Sequence, residues 1–282
     1  MPERGRASWS AILEHPSTGV ALRLITCLLV LIFFQVGYRW GYADHRGPGV
    51  FDATLALDHM LPLVPQFVVF YMLGYVFVLV PCLAMRERHD FYAAAVSFSL
   101  MLAVAFLMFR YMPVHMQKTL PLGDEWYVRW TRFQQNMDTH YNNFPSLHAG
   151  LNVFAYSLLA WQARRLSWWW LPLPLLIVAS TLLIKQHLVL DVVGGMVLAA
   201  AGFALFRTLR KRPARIVFGL FLVCFSGLLL VLLTHLERLG ITWRKIHRFV
   251  EAGGSAAELL GAGLLALLLF AWLSRRRAGS PR

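Results

Sequence analysis

Runs of apolar residues recur along this chain at 20–38, 64–84, 91–111, 146–163, 168–185, 187–206, 214–234 and 256–273. A helix needs about 17 to 25 such residues to cross the hydrocarbon of a bilayer. Backbone groups inside lipid must be satisfied within their own segment, so spans of this length are helical. The expected fold class is therefore all-α, a polytopic membrane protein. The last run is the shortest: Leu259–Leu273 reaches a full span only by taking in Glu258, so a seven-span or re-entrant reading stays open beside eight spans. Composition agrees. Of the 282 residues 58% are hydrophobic and only 15% charged, against about a quarter charged in soluble domains, and mean hydropathy is +0.57. Ten Trp and nine Tyr suit a chain with many anchors at the headgroup level.

The formal charge of +13 does not imply nucleic acid, because the basic residues are scattered among short segments between apolar runs. Topology and anionic lipid account for them. Eight spans divide the cations into two sets. The denser set holds Arg4, Arg6, Arg86, Arg88, Arg164, Arg165, the 207–215 cluster and Arg275–Arg277, in the shorter loops. The positive-inside rule places that set, and both termini, in the cytoplasm. Arg39, Arg46, Arg110, Lys118, Arg129, Arg132 and Lys185 then fall on the opposite side, together with the starts of the fourth and sixth spans. Arg23, near the cytoplasmic end of the first span, is expected to snorkel. Cys27, Cys82 and Cys224 lie inside apolar runs, which reads as core packing rather than as a disulfide framework or zinc site. Glu3 and Glu14 interrupt the basic N-terminal region and no small-residue cleavage pattern follows the first run, so a removed signal peptide is not expected.

Polar residues within these runs are costly, and by default they mark function. His187 and Asp191 are four residues apart; on a helix they share one face, so the carboxylate can orient the imidazole and leave its other nitrogen as nucleophile or base. The alternative is a buried polar pair that holds helices together. A second cluster, Asn142-Asn143-Phe144-Pro145-Ser146-Leu147-His148, opens the fourth run. Pro145 suits the first position of a helix, with Ser146 and the free N–H groups of the first turn directed outward as an anion site. His148 can serve there as a general acid, or as an interhelical hydrogen-bonder. In the long connection 111–145, Trp126, Trp130 and Phe133 recur at helical spacing. They predict a short amphipathic helix that either guides substrate at the interface or caps the helix ends.

Pro145-Ser146-Leu147-His148 resembles the second signature of the type 2 phosphatidic acid phosphatase superfamily, usually Pro-Ser-Gly-His. Ser180 with His187-x-x-x-Asp191 resembles the third, Ser-Arg-x5-His-x3-Asp. Phe-Pro-Ser-Leu-His followed by Lys-Gln-His-x-x-x-Asp is most similar to the inositol phosphorylceramide synthase-like subgroup. The resemblance implies a six-helix catalytic core over 20–206, preceded by a cytoplasmic segment 1–19 and followed at 207–282 by two further transmembrane helices and a basic tail. It also implies His187 as a nucleophile forming a phosphohistidine, Asp191 as its orienter and His148 as the proton donor to the leaving alcohol. Catalysis would need no metal and no cofactor; one Asp and two His are too few for a two-metal site, although a mononuclear site on His148, His187 and Asp191 stays open.

Two departures concern the phosphate-binding cations. Thr181 stands where the third signature has arginine, which leaves Lys185 as the nearest replacement. The first signature, Lys-x6-Arg-Pro, is absent; Arg110 and Lys118 stand in its place and can bind phosphate or contact headgroups at a helix end. With Ser146, these form the expected substrate-binding set. The function expected is a metal-independent lipid phosphatase or phosphotransferase, working on a lipid phosphate, phosphodiester or polyprenyl diphosphate among membrane lipids. A bacterial inner membrane with a periplasmic site suits the compact loops and the cytoplasmic basic clusters, with a eukaryotic endomembrane as the alternative. The alternative is a non-enzymatic transporter of lipid or solute that uses the His/Asp cluster as a relay, with Gly194-Gly195 marking either a helix break or a close packing contact.

Overall fold

The computed structural model describes residues 16–41, 49–85, 87–162 and 168–213, with scattered positions from 216 to 227. The eighth apolar run, most of the seventh and the basic tail lie outside the described residues, as do Arg164 and Arg165. The described chain is helical apart from two two-residue strands, in the order α1 (Pro16–Gly41), β1 (Phe51–Asp52), α2 (Ala56–Met60), α3 (Val68–Phe77), α4 (Val80–Ala84), α5 (Arg88–Tyr111), β2 (Val114–His115), α6 (Trp126–Met137), α7 (Leu147–Gln162), α8 (Pro172–Leu183) and α9 (Val189–Leu209). Among the described residues, four helical segments are long and apolar enough to cross a membrane: Arg23–Gly41, Pro65–Cys82, Arg88–Tyr111 and Val189–Leu209; Trp168–Leu183 is a shorter apolar helix.

The expected span 64–84 is not one regular helix. It is a 3-10 turn at Pro65–Phe67 followed by α3 and α4. Pro81 has no N–H to offer the Phe77 carbonyl four residues back, and its ring crowds that carbonyl, so the helix is interrupted there. α8 begins with Pro172 and Pro174, where the missing N–H groups cost nothing.

The bundle is built on α5, α7 and α9, whose Leu102, Phe106, Phe109, Leu151, Phe154 and Phe206 belong to one buried cluster. α1 lies along α5, with Phe33 edge-on to Phe106 and Tyr38 edge-on to Phe109. α7 and α9 meet at Gly150 and Gly195. A Cβ on Gly150 would sit 2.7 Å from the Gly195 carbonyl oxygen, and a Cβ on Gly195 would strike the Ser146 carbonyl. The Gly194-Gly195 pair is thus a close packing contact inside an unbroken α9, and it brings the two motif-bearing helices together.

The two ends of the bundle differ. At one, Arg23 donates to the Met85 carbonyl instead of snorkelling freely, and Arg210 pairs with Asp90 at 3.2 Å while lying over the Trp161 ring. At the other, three connections interlock. β1 and β2 pair in parallel, Phe51 opposite Val114, Val114 bridges to Asn142, and the Met116 N–H donates to the His140 carbonyl at 2.8 Å. The helix expected from Trp126, Trp130 and Phe133 is α6. Trp130 packs with Val68, Tyr71 and Ile184 and Trp126 is half-exposed, so α6 covers the helix ends as a packed cap.

Candidate active site

His187 lies between α8 and α9, not on a helix. α8 ends in a left-handed cap: Lys185 has φ of 53°, the Lys185 N–H donates to the Leu182 carbonyl at 3.1 Å and the Gln186 N–H to the Thr181 carbonyl at 2.9 Å. This is the hydrogen-bond pattern of a Schellman cap, with Lys185 where glycine is usual. The His187 N–H joins the same Thr181 carbonyl at 3.1 Å, so the backbone of the candidate nucleophile is anchored to the end of α8. Leu188 is the extended residue before α9. The expectation that His187 and Asp191 stack one turn apart on a helix is therefore corrected: the pair closes across a helix start.

Asp191 occupies the third position of α9 and is fully buried. Its Oδ2 accepts the Leu188 N–H at 2.8 Å, and the same oxygen lies 3.7 Å from His187 Nδ1. That distance is beyond a hydrogen bond but within reach of electrostatic pairing. A carboxylate facing Nδ1 favours a proton there and directs the free lone pair of Nε2 away from Asp191. The Asp191 carbonyl accepts the Ser146 N–H at 2.9 Å, tying the two motifs together through the backbone.

Ser146 is the N-cap of α7. Its Oγ accepts the Ala149 N–H at 3.2 Å, satisfying one of the orphan donors of the first turn. Ser146 is fully buried and Pro145 precedes the cap; the expected arrangement, with Pro145 as first helical residue and Ser146 facing outward, is corrected. The capping hydroxyl turns inward because its oxygen is engaged by the helix.

His148 stacks on Tyr71, ring centroids 3.9 Å apart and planes within 3°, with Tyr75 edge-on at 5.1 Å. Gly74 is what admits the ring: a Cβ there would strike His148 Nε2. That nitrogen is buried without a hydrogen-bond partner.

Both histidines line a cavity of about 680 Å³ that runs between α1, α3, α5 and α7. Its walls are mainly apolar, among them Leu31, Phe34, Phe98 and Leu151, and Gln134, Asp138, Asn142 and Arg39 also line it. Arg39 stands in the last turn of α1. Sequence reading counted it only as a topology residue, and its place in an apolar helix was the signal available.

The cations expected to bind phosphate lie away from the cavity. Lys185 Nζ donates to the Asp58 and Leu61 carbonyls at 2.9 and 2.7 Å, so the structure does not turn it towards His187. Partial burial pushes its pKa down, and the neighbouring Asp58 carboxylate opposes that shift. Lys118 Nζ donates to Gln186 Oε1 at 2.9 Å and to the Gln135 carbonyl at 3.3 Å, which holds it one residue from His187 along the chain. The Arg110 guanidinium lies 5.7 Å from the centre of the Trp40 ring; neither Arg110 nor Lys118 lines the cavity. Thr181, at the position of the missing arginine, is buried with its hydroxyl bonded to the Val178 carbonyl at 2.7 Å. Among the described residues, no group of three or more His, Cys, Asp or Glu side chains is arranged to hold a metal ion.

Residues 49–205, more than half of the chain, match the family model described as the PAP2 superfamily. The chain belongs to the PAP2 superfamily. The matched region contains every element from β1 to most of α9, both histidines and Asp191. No curated protein and no solved structure matches the chain. Membership in the PAP2 superfamily, with the apolar helices, makes this an integral membrane protein and supports a phosphatase-type function on lipid phosphate.

Proposed function

We propose that the protein transfers a phosphoryl group from a membrane lipid, as a phosphatase or phosphotransferase acting through a phosphohistidine on His187. The observation that carries this reading is the long apolar cavity with His187 and His148 in its wall. A hydrocarbon chain is the ligand such walls suit, and the polar groups that line the same cavity suit its phosphate.

His187 Nε2 attacks phosphorus while the P–O bond to the alcohol breaks, and His148, whose imidazolium form the negative charge of the bound phosphate stabilises, supplies the proton that the leaving oxygen takes. Asp191, facing Nδ1, stabilises the positive charge that His187 acquires. Water or a second alcohol then attacks the phosphohistidine, giving back its proton to His148. Arg39, in the cavity wall, is the cation best placed to meet the phosphate oxygens. The substrate is a lipid phosphate, phosphodiester or polyprenyl diphosphate, the subgroup similar to inositol phosphorylceramide synthases, and the setting a bacterial inner membrane with the site on the periplasmic face.

The test is purified enzyme given labelled lipid phosphates, with EDTA present and with or without candidate alcohols. Phosphate release marks hydrolysis and a new phosphodiester marks transfer. Wild-type turnover by His187→Ala on the same substrate would overturn the mechanism.

A further inference from the structure

Asp58 belongs to neither motif and lies outside the apolar runs, in the short connection after β1. It is nonetheless buried, 8% exposed. One carboxylate oxygen, Oδ2, accepts the Leu55 N–H at 2.8 Å and so closes the first turn of α2. The other, Oδ1, accepts the Val189 N–H at 2.8 Å, across 131 residues of sequence. Val189 is the first residue of α9, two residues after His187. The start of α9 therefore carries two carboxylates on successive N–H groups: Asp191 on Leu188, and Asp58 on Val189. A helix start attracts negative charge, and a buried N–H left without an acceptor costs about 1–3 kcal/mol, so this junction is strongly determined.

The same segment holds the turn a second time, since the Asp58 and Leu61 carbonyls accept the Lys185 ammonium. Lys185 and Val189 bracket His187 at two residues on either side. The connection 55–61 thus grips both flanks of His187 while none of its residues lines the cavity.

We propose that Asp58 is a positioning residue: by fixing the Val189 N–H it sets where the His187 imidazole stands relative to Asp191 and the cavity. The proposal rests on the reading of His187 as the nucleophile. A displacement of about 1 Å at a reacting group costs on the order of 10²-fold in rate. Asp58 acts through the backbone, so the loss should fall on kcat and on the rate of phosphohistidine formation, not on KM.

The experiment compares wild type, Asp58→Ala, Asp58→Asn and His187→Ala, each as full-length protein in detergent, on the lipid phosphate that wild type turns over fastest. Rates are referred to folded protein, and hydrogen exchange is followed in the peptide covering 184–190. Asp58→Ala should lower kcat about 10- to 100-fold with KM within about twofold, slow phosphohistidine formation in a single turnover and speed exchange at 184–190. Asp58→Asn, whose amide oxygen replaces one of two carboxylate oxygens, should fall between Asp58→Ala and wild type. If Asp58→Ala does not fold, the asparagine variant is judged by the same kcat, KM and exchange criteria. Wild-type kcat in the folded Asp58 variant while His187→Ala is inactive would overturn the positioning role alone; full activity in His187→Ala would overturn the reaction itself.

Discussion

The turn that carries His187 and the helix turn that carries His148 face one cavity, yet they are held by different forces. Around His187 the restraints are directional: the Thr181 carbonyl takes its N–H, Lys118 holds Gln186, Gln135 Nε2 donates to the Ile184 carbonyl at 2.8 Å, and Asp58 and Asp191 take the N–H groups that follow. Around His148 the backbone is also bonded, its carbonyl accepting Asn152 Nδ2 at 2.7 Å, but the ring is held by faces and edges of Tyr71 and Tyr75. Hydrogen bonds fix angle and distance, whereas ring stacking tolerates sliding and rotation. The difference suits the roles proposed above for the two histidines. A nucleophile must meet phosphorus at a set position, while a proton donor must reach a leaving oxygen and later an incoming one.

Removing His187 should give the largest effect, a fall in turnover on the order of 10⁴-fold or more, because the proposed covalent intermediate forms on its imidazole. Acid-quenched enzyme should then carry no phosphohistidine. His148→Ala should cost about 10²- to 10⁴-fold on a natural alkyl ester. On an aryl phosphate with a good leaving group the loss should be much smaller, since such a group departs unprotonated; equal losses on both would remove the acid role and with it the contrast between the two histidines.

Next in size is the joint between their helices. Gly195→Ala places a Cβ against the Ser146 carbonyl and should destabilise by about 1–3 kcal/mol, the usual cost of overpacking, read as a lower Tm in detergent together with reduced turnover. The smallest effect concerns the cap. Lys185→Ala should lower Tm without raising KM. Lys185→Gly, which loses the same carbonyl contacts but relieves the left-handed backbone, should be more stable than Lys185→Ala by roughly 1 kcal/mol. A large rise in KM at unchanged Tm would show instead that the ammonium touches phosphate.

Much of this arrangement was legible along the chain. The apolar runs at 20–38, 64–84, 91–111 and 187–206 marked the four long apolar segments among the described residues, and the aromatic spacing in 126–133 marked α6. Ser146 is a residue type that caps helices, but Pro145 beside it draws the expected helix start one residue too early. The run 187–206 starts the helix at His187, whereas α9 begins at Val189. Apolarity does not distinguish the end of one helix from the start of the next, and Ile184 to Leu190 is apolar on both sides of a tight turn.

The sequence by itself determined the helical, membrane-spanning class and marked the two histidines and the aspartate as candidates, because the cost of a polar residue in an apolar run is a property of neighbouring residues. Only the tertiary structure decided the partners of the long charged side chains. Lys185 finds carbonyls up to 127 residues away, Asp58 reaches Val189, and Arg39 comes to line the cavity of His148 and His187. A flexible side chain goes where the folded backbone leaves polar groups to satisfy, and those positions exist only once connections distant in sequence have packed together.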